Sequence, residues 1–407
     1  MKKRPIIGIV IVAIVIMGFS AFELFNHKIG GPGPGENLCP SLQIGEWIPA
    51  QGECPGSTQE SITKCEDFCS NHPDCCTKEG STEKFGGQNL MELPTQEDIS
   101  ILTRNYPSVI KAINEGPAVY GQGHRFEVIS DEKLNQMKET GFNTIQILII
   151  DDCTEETCVM DESSKVLLLN DIVKAKQKGF AIWVALEFIN APPGSNKKLP
   201  AYEVFKPAYL ELCRESGELL EQYKVEYFTV NNEPDLFFQE QTQWGTEQEI
   251  DKHVAEMFVL ANTATKEKFN GKMINKITQT KKRPQETIDA SFKNVDIAGI
   301  DVGPPVDEDF GLDVYKSEFD EYQFYASQAE KAGVPWMVGE YWTSNYFENA
   351  NDYVKNNQHI LANLSFNAYL KVTPKGVGYS WNDFSSFSIQ PNGEATRLAV
   401  KEFFTKI

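Results

Sequence analysis

Histidine is scarce in this chain, with 5 among 407 residues, and basic side chains are outnumbered, 38 Lys and Arg against 58 Asp and Glu. Each shortage excludes something. His27, His72, His124, His253 and His359 are scattered, and no two have the spacing of zinc ligands, so neither a metal centre nor a cofactor is expected. The net charge of -20 repels phosphate, which argues against nucleic acid as a partner. No GxGxxG or GxxxxGK[ST] occurs, so the usual signatures of nucleotide binding are missing. Cysteine is thin over most of the chain, yet Cys39, Cys54, Cys65, Cys69, Cys75 and Cys76, six of the nine, fall within 38 residues.

What is present at the N-terminus is a basic flank, Lys2-Lys3-Arg4, followed by an apolar run from Ile6 to Phe22. That order is expected of a membrane anchor over 1–28 with its N-terminus inside, a cleaved signal ending near Gly18-Phe19-Ser20 being the alternative. Either reading takes the chain out of the cytoplasm, and the first holds it at the cell surface. Residues 29–36, rich in Gly and Pro, read as a spacer. Residues 37–80 read as a small module held by about three disulfides in place of an apolar core. Its connectivity is open, and a zinc site using His72 is the competing reading. Cys153 and Cys158 are close enough to staple a loop, which leaves Cys213 as a buried thiol.

A connector over 81–116, expected to be helical, leads into a regular alternation of short β-branched runs and longer amphipathic segments over 117–407. Strands are predicted at Ala118–Gly121, Asn143–Ile150, Ala181–Phe188, Glu226–Val230, Met273–Thr278, Val295–Val302, Trp336–Gly339 and Gly376–Trp381. Helices are predicted at Asp131–Glu139, Leu167–Gln177, Glu203–Gln222, Glu247–Phe269, Gln285–Phe292, Val314–Ala332, Asn351–Leu370 and Glu394–Phe404. Eight alternating pairs point to an α/β fold of the (β/α)8, or TIM barrel, type rather than to an open doubly wound sheet.

In such barrels function sits at the C-terminal ends of the strands. Asn232-Glu233-Pro234 ends the fourth predicted strand and Glu340 the seventh, so both glutamates face one mouth from opposite sides. Two carboxylates that can approach to about 5 Å suit a retaining glycosidase, in which one donates a proton and the other attacks the anomeric carbon. Pro234, Phe237 and Phe238 would desolvate Glu233 and favour its neutral form. Trp244, Tyr341, Trp342, Tyr346 and Trp381 lie on loops or strand ends where flat rings could meet sugar faces, whereas Trp183 and Trp336, deeper in their strands, read as core. Asp151, Asp152, Glu187, Asp235, Asp301 and Asp383 also fall near the predicted mouth, most simply as solvated acids.

Three stretches, Met137-Lys138-Glu139-Thr140-Gly141-Phe142-Asn143-Thr144-Ile145, Val230-Asn231-Asn232-Glu233-Pro234 and Val338-Gly339-Glu340-Tyr341-Trp342, make residues 117–407 resemble the clan A glycoside hydrolases. The resemblance implies a retaining hydrolase of a β-linked oligo- or polysaccharide, with Glu233 as acid/base, Glu340 as nucleophile and Asn232 bonded to the sugar 2-hydroxyl. It also implies that Trp381, in Gly378-Tyr379-Ser380-Trp381, floors the reacting subsite. Three family features differ. Gln146 stands where many members carry a nucleophile-holding arginine, no histidine ends the third strand, and Asp301 occupies the sixth-strand place of a tyrosine. Arg125, near the end of the first predicted strand, could supply the missing charge. These departures keep a second expectation open, a carbohydrate-binding or adhesion ectodomain that retains the barrel without turnover. The sequon Asn363-Leu364-Ser365 falls in a predicted helix.

Overall fold

The structure, a computed structural model, describes residues 92–115, 128–153, 157–160, 162–188, 198–278, 280–303, 312–341, 356–382, 387 and 392–407. The expected anchor, spacer and cysteine module lie outside the described residues, as do Arg125, Trp342 and Tyr346. No helix among the described residues is long and apolar enough to cross a membrane.

Eight parallel strands close into a barrel: β1 (Ile110–Glu115), β2 (Thr144–Cys153), β4 (Ala181–Phe188), β5 (Tyr227–Thr229), β6 (Lys272–Thr278), β7 (Ile297–Val302), β8 (Trp336–Tyr341) and β9 (Gly378–Trp381). Each pairs with the next, and β1 pairs with both β2 and β9, which leaves no free edge. The extra strand β3 (Cys158–Met160) runs antiparallel to β2, with Cys153 opposite Cys158, and these two form the expected disulfide. Cys213 is free and buried, also as expected.

One expectation needs correcting. The first strand is Ile110–Glu115, ahead of Ala118–Gly121, whose residues lie outside the described ones. Among the described residues of the expected connector only Gln96–Ser100 is helical (α1), started by a Thr95–Asp98 capping box. Ile110–Glu115 carries Lys111, Asn114 and Glu115, so it does not read as an apolar run. It is nonetheless a strand, because Ile110, Ala112 and Ile113 are buried on two faces of a closed barrel while Lys111 reaches the carbonyl of Phe404.

Ahead of that strand, the segment around Arg104–Tyr106 seals the N-terminal end of the barrel. Arg104 donates to the carbonyl of Val225 at 2.9 Å, Asn105 N donates to Glu226, and Lys272 lies 4.9 Å from the Tyr106 ring centre. Above this plug Ile110, Ala112, Ala181, Trp183, Tyr227, Ile274, Ile297 and Met337 fill the lumen as one apolar cluster. Trp183 and Trp336 are core residues, as expected. The helices bury their apolar stripes against the outside of the strands. On α4 (Tyr202–Gln222) the stripe is Phe205, Tyr209, Leu212, Cys213 and Leu220. It meets α6 (Glu247–Lys266) where Gly217 lets the Thr265 carbonyl approach, since a Cβ there would lie 3.0 Å from that oxygen. The apolar packing thus occupies the lower lumen and the helix layer. Within the lumen the charged side chains lie toward the upper ends of the strands.

Candidate active site

Alternation along β6 places Ile274 and Lys276 in the lumen, one layer apart. Lys276 is fully buried, and its Nζ lies 2.6 Å from Glu340 Oε2 and 2.9 Å from Asp301 Oδ2. An ammonium taken out of water persists only with such partners. Burial opposes its charge, but Asp301, Glu340 and Glu233 outweigh burial and raise its pKa above the ordinary lysine value. Asp301 reaches the same layer from β7, where Ile297, Gly299 and Asp301 share the inward phase.

Glu340 reaches it only because β8 breaks its own period. Met337 faces the lumen, so strict alternation would send Gly339 inward and Glu340 outward. The register against β7 jumps from Ile300–Val338 to Asp301–Glu340, so Gly339 is the extra residue of a bulge. The bulge turns Glu340 onto Lys276 and turns Tyr341 away, its hydroxyl pointing toward Glu318 at 3.4 Å. Glycine is required at this point, because a Cβ on residue 339 would stand 2.6 Å from Asp301 Oδ1 and 3.3 Å from Lys276 Cγ.

Glu233 follows β5 in a left-handed backbone conformation, φ 49° and ψ 48°, and starts the short helix α5 (Pro234–Phe237). A β-carbon in that region costs on the order of 1–2 kcal/mol, so the surrounding structure must hold it there. Asp235 is part of that hold. It is buried, accepts from Thr278 N and Oγ1, and accepts from Arg283 Nε at 2.8 Å, which ties the loop after β5 to the end of β6. The Glu233 carboxyl is raised well above the usual carboxylate range, first by desolvation and then by the negative charges of Asp301 and Glu340, with Lys276 opposing. Pro234, Phe237 and Phe238 are buried, Phe238 against Phe205 and Trp244.

The two glutamates therefore meet at one end of the barrel, around Lys276 and Asp301. Asn232 is buried next to them with a side-chain oxygen that receives no hydrogen bond among the described residues. Gln146, on β2, accepts from Ser380 Oγ at 3.2 Å and does not take the place of a cation. Three expected sugar platforms need correcting, since their ring faces are covered by core packing. Trp381 is 1% exposed and packs on Phe387, Tyr341 and Phe366. Tyr341 is fully buried on the helix side of β8. Trp244 packs among Tyr202, Phe205 and Phe238 and donates to the carbonyl of Pro200 at 2.7 Å. Lys276 is the member of this buried cluster that sequence reading missed. Its signal was a lysine inside Lys272-Met273-Ile274-Asn275-Lys276-Ile277-Thr278, at a lumen position where only a paired charge is stable.

No family model matches the chain, and no curated protein is similar to it in sequence. Solved structures are similar in fold. The GH5-4 broad specificity endoglucanase from Clostridium longisporum superposes with a TM-score of 0.54 at 12% identity, covering 78% of this chain and 100% of that one. The endo-β-1,4-mannanase from Thermotoga petrophila does so at 0.51 and 12%, covering 73% and 77%. The exo-β-1,4-mannosidase Op5Man5 from Opitutaceae bacterium strain TAV5 gives 0.51 and 12%, covering 75% and 62%. The chain thus has the (β/α)8 fold of glycoside hydrolases, the fold implied by its resemblance to clan A.

Proposed function

We propose that this protein is a retaining glycoside hydrolase acting on a β-linked glycan, with Glu340 as nucleophile and Glu233 as acid/base. One observation carries the reading: two glutamates from opposite strands converge on a buried lysine, one ion-paired to it and the other with its pKa raised by burial and by neighbouring carboxylates. In the first step Glu340 attacks the anomeric carbon while Glu233 gives its proton to the departing oxygen. In the second Glu233 takes a proton from water, which displaces Glu340 from the sugar. Lys276 supplies, from β6, the positive charge that the resemblance placed on the second strand. Asn232, with its unengaged oxygen, is positioned to accept from a sugar hydroxyl. The fold neighbours bear the names of β-1,4-mannanases, mannosidases and endoglucanases, which makes β-1,4-mannans and β-1,4-glucans the first substrates to try. We place the activity outside the cytoplasm, a reading favoured by the Cys153–Cys158 disulfide and the basic-then-apolar N-terminus.

The test is hydrolysis of those polysaccharides and of aryl β-glycosides by wild type, Glu233→Ala and Glu340→Ala. Turnover by wild type and a loss of about 100-fold or more in each variant is expected. Glycan binding without turnover in all three proteins would instead establish the non-catalytic ectodomain.

A further inference from the structure

The described charges in the barrel mouth do not balance with ordinary ionisation. Among the described residues, Glu233, Asp301 and Glu340 share the cluster with one cation, Lys276. Asp301 is buried, and apart from the Lys276 ammonium at 2.9 Å no described N–H or O–H donor reaches either of its carboxylate oxygens. Its other close polar neighbours are carboxyl groups, that of Glu340 across the shared Lys276 and that of Glu233, the one within hydrogen-bonding reach. Two ionised carboxylates cannot hydrogen-bond, and side by side in a buried site they repel. A single proton between them removes the repulsion and gives the buried acceptor of Asp301 a donor.

We propose that Glu233 and Asp301 hold one proton between them, so that Asp301 is a positioning residue which keeps the acid/base charged with its proton. The hydroxyl of Glu233 donates to Asp301, and Asp301 is in turn anchored by Lys276, which also holds Glu340. The arrangement balances through a turnover. Before reaction the Glu233–Asp301 pair carries one negative charge, Glu340 one negative and Lys276 one positive. Once Glu340 is esterified to the sugar it is neutral, and the proton has left with the departing oxygen. Glu233 and Asp301 are then both ionised beside Lys276, and the cluster's net charge is unchanged. Loss of the Glu340 charge is what allows the pair to release its proton, and attack by water, which returns a proton to Glu233, restores the starting state. Turnover of this kind rests on the proposed hydrolase. The shared proton does not.

The experiment therefore reads the proton directly. Infrared spectra in the carboxylic C=O stretch region, which ionised carboxylates lack, are recorded near pH 6.5 for the chain, Glu233→Gln and Asp301→Asn. All three carry Glu318→Gln, because burial pushes the Glu318 pKa up to about 8 and its carboxyl would absorb in the same region. Each amide supplies an N–H to the surviving partner, so either substitution should abolish the same one-proton band. Absence of the band without either substitution, or its survival in Asp301→Asn, overturns the proposal. Where turnover is found, Asp301→Asn should also shift the basic limb of kcat/KM to lower pH. That shift should appear with poor leaving groups and fade with activated ones, which need no acid. A protein that shows the band and hydrolyses nothing keeps the proton inference and loses the hydrolase reading.

Discussion

At the scale of single residues, the unusual element of the site is a lysine with no exposure that serves two acids at once. Its value is best measured against the charges it leaves behind. Lys276→Met strands Glu340 and Asp301 without a cation in a buried layer, and breaking a buried pair in this way costs about 3–5 kcal/mol. If the cost comes from unpaired negative charge and not from lost packing, Asp301→Asn in the Lys276→Met background should return part of it. The same substitution in the parent chain should return nothing. Urea unfolding of the four proteins at one pH measures the coupling, and simple additivity of the two single changes would show that lysine and aspartate act independently. The residue scale is also where sequence reading was most uneven. Glu233 and Glu340 were legible because each ends an apolar run, a position with chemical meaning in any barrel. Lys276 was not, because its importance depends on strand phase and on two partners from β7 and β8 that are distant in sequence.

At the scale of elements, β8 shows why period alone misplaces a side chain. Alternation read from Trp336 onward puts Glu340 among the helices, and only the bulge at Gly339 brings it into the lumen. The same irregularity explains why Tyr341 packs in the outer layer, while Trp381 faces outward by plain alternation from Gly378 and Ser380, which pair with the lumen residues Ile110 and Ala112. A ring at the end of a strand can face either side, and a one-residue shift exchanges them. Regular elements were easier. Ala181–Phe188 and most helices sit where their apolar periodicity places them, because a strand or helix buried on one or both faces repeats its own signal. Ile110–Glu115 escaped because a lysine, an asparagine and a glutamate dilute its pattern, and their partners appear only after the barrel closes. The bulge makes a definite prediction. Gly339→Ala puts a Cβ 2.6 Å from Asp301 Oδ1 and should cost about 1–3 kcal/mol. By moving Asp301 and the strand that aims Glu340 it should also lower kcat more than it raises KM. Thermal unfolding and steady-state kinetics check the two halves, and an unchanged kcat would mean that the bulge only accommodates Glu340 without aiming it.

At the scale of the whole molecule, the carboxyls held in unusual states pull stability in opposite directions with pH. Glu221, paired with Arg104 and Lys224 and hydrogen-bonded by Asn270 N, is lowered to about 2 despite partial burial. Its contribution is present above the ordinary carboxylate pKa and is lost as pH falls toward 2. Glu318 is the opposite case. It lies on α8 (Leu312–Ala332), outside the barrel, beside the hydroxyls of Tyr322 and Tyr341 and next to Ser365, and burial pushes its pKa up to about 8. The folded chain binds this proton more tightly than the unfolded chain does. Stability is therefore highest below pH 4.5 as far as Glu318 is concerned and falls steadily until pH reaches about 8. The Glu233–Asp301 pair acts with the same sign. The net expectation is a thermal midpoint that is greatest in mildly acidic buffer and declines through neutrality, in spite of the acidic surface. Glu318→Gln keeps the shape and the hydrogen-bonding capacity while removing the titration. It should flatten the decline, by an amount on the order of a few kcal/mol between pH 5 and 8, and leave the acid side unchanged. Midpoints for both proteins across that range decide the matter. Parallel curves would show that Glu318 ionises in the folded chain as easily as in water, and the slope would then have to come from the mouth of the barrel.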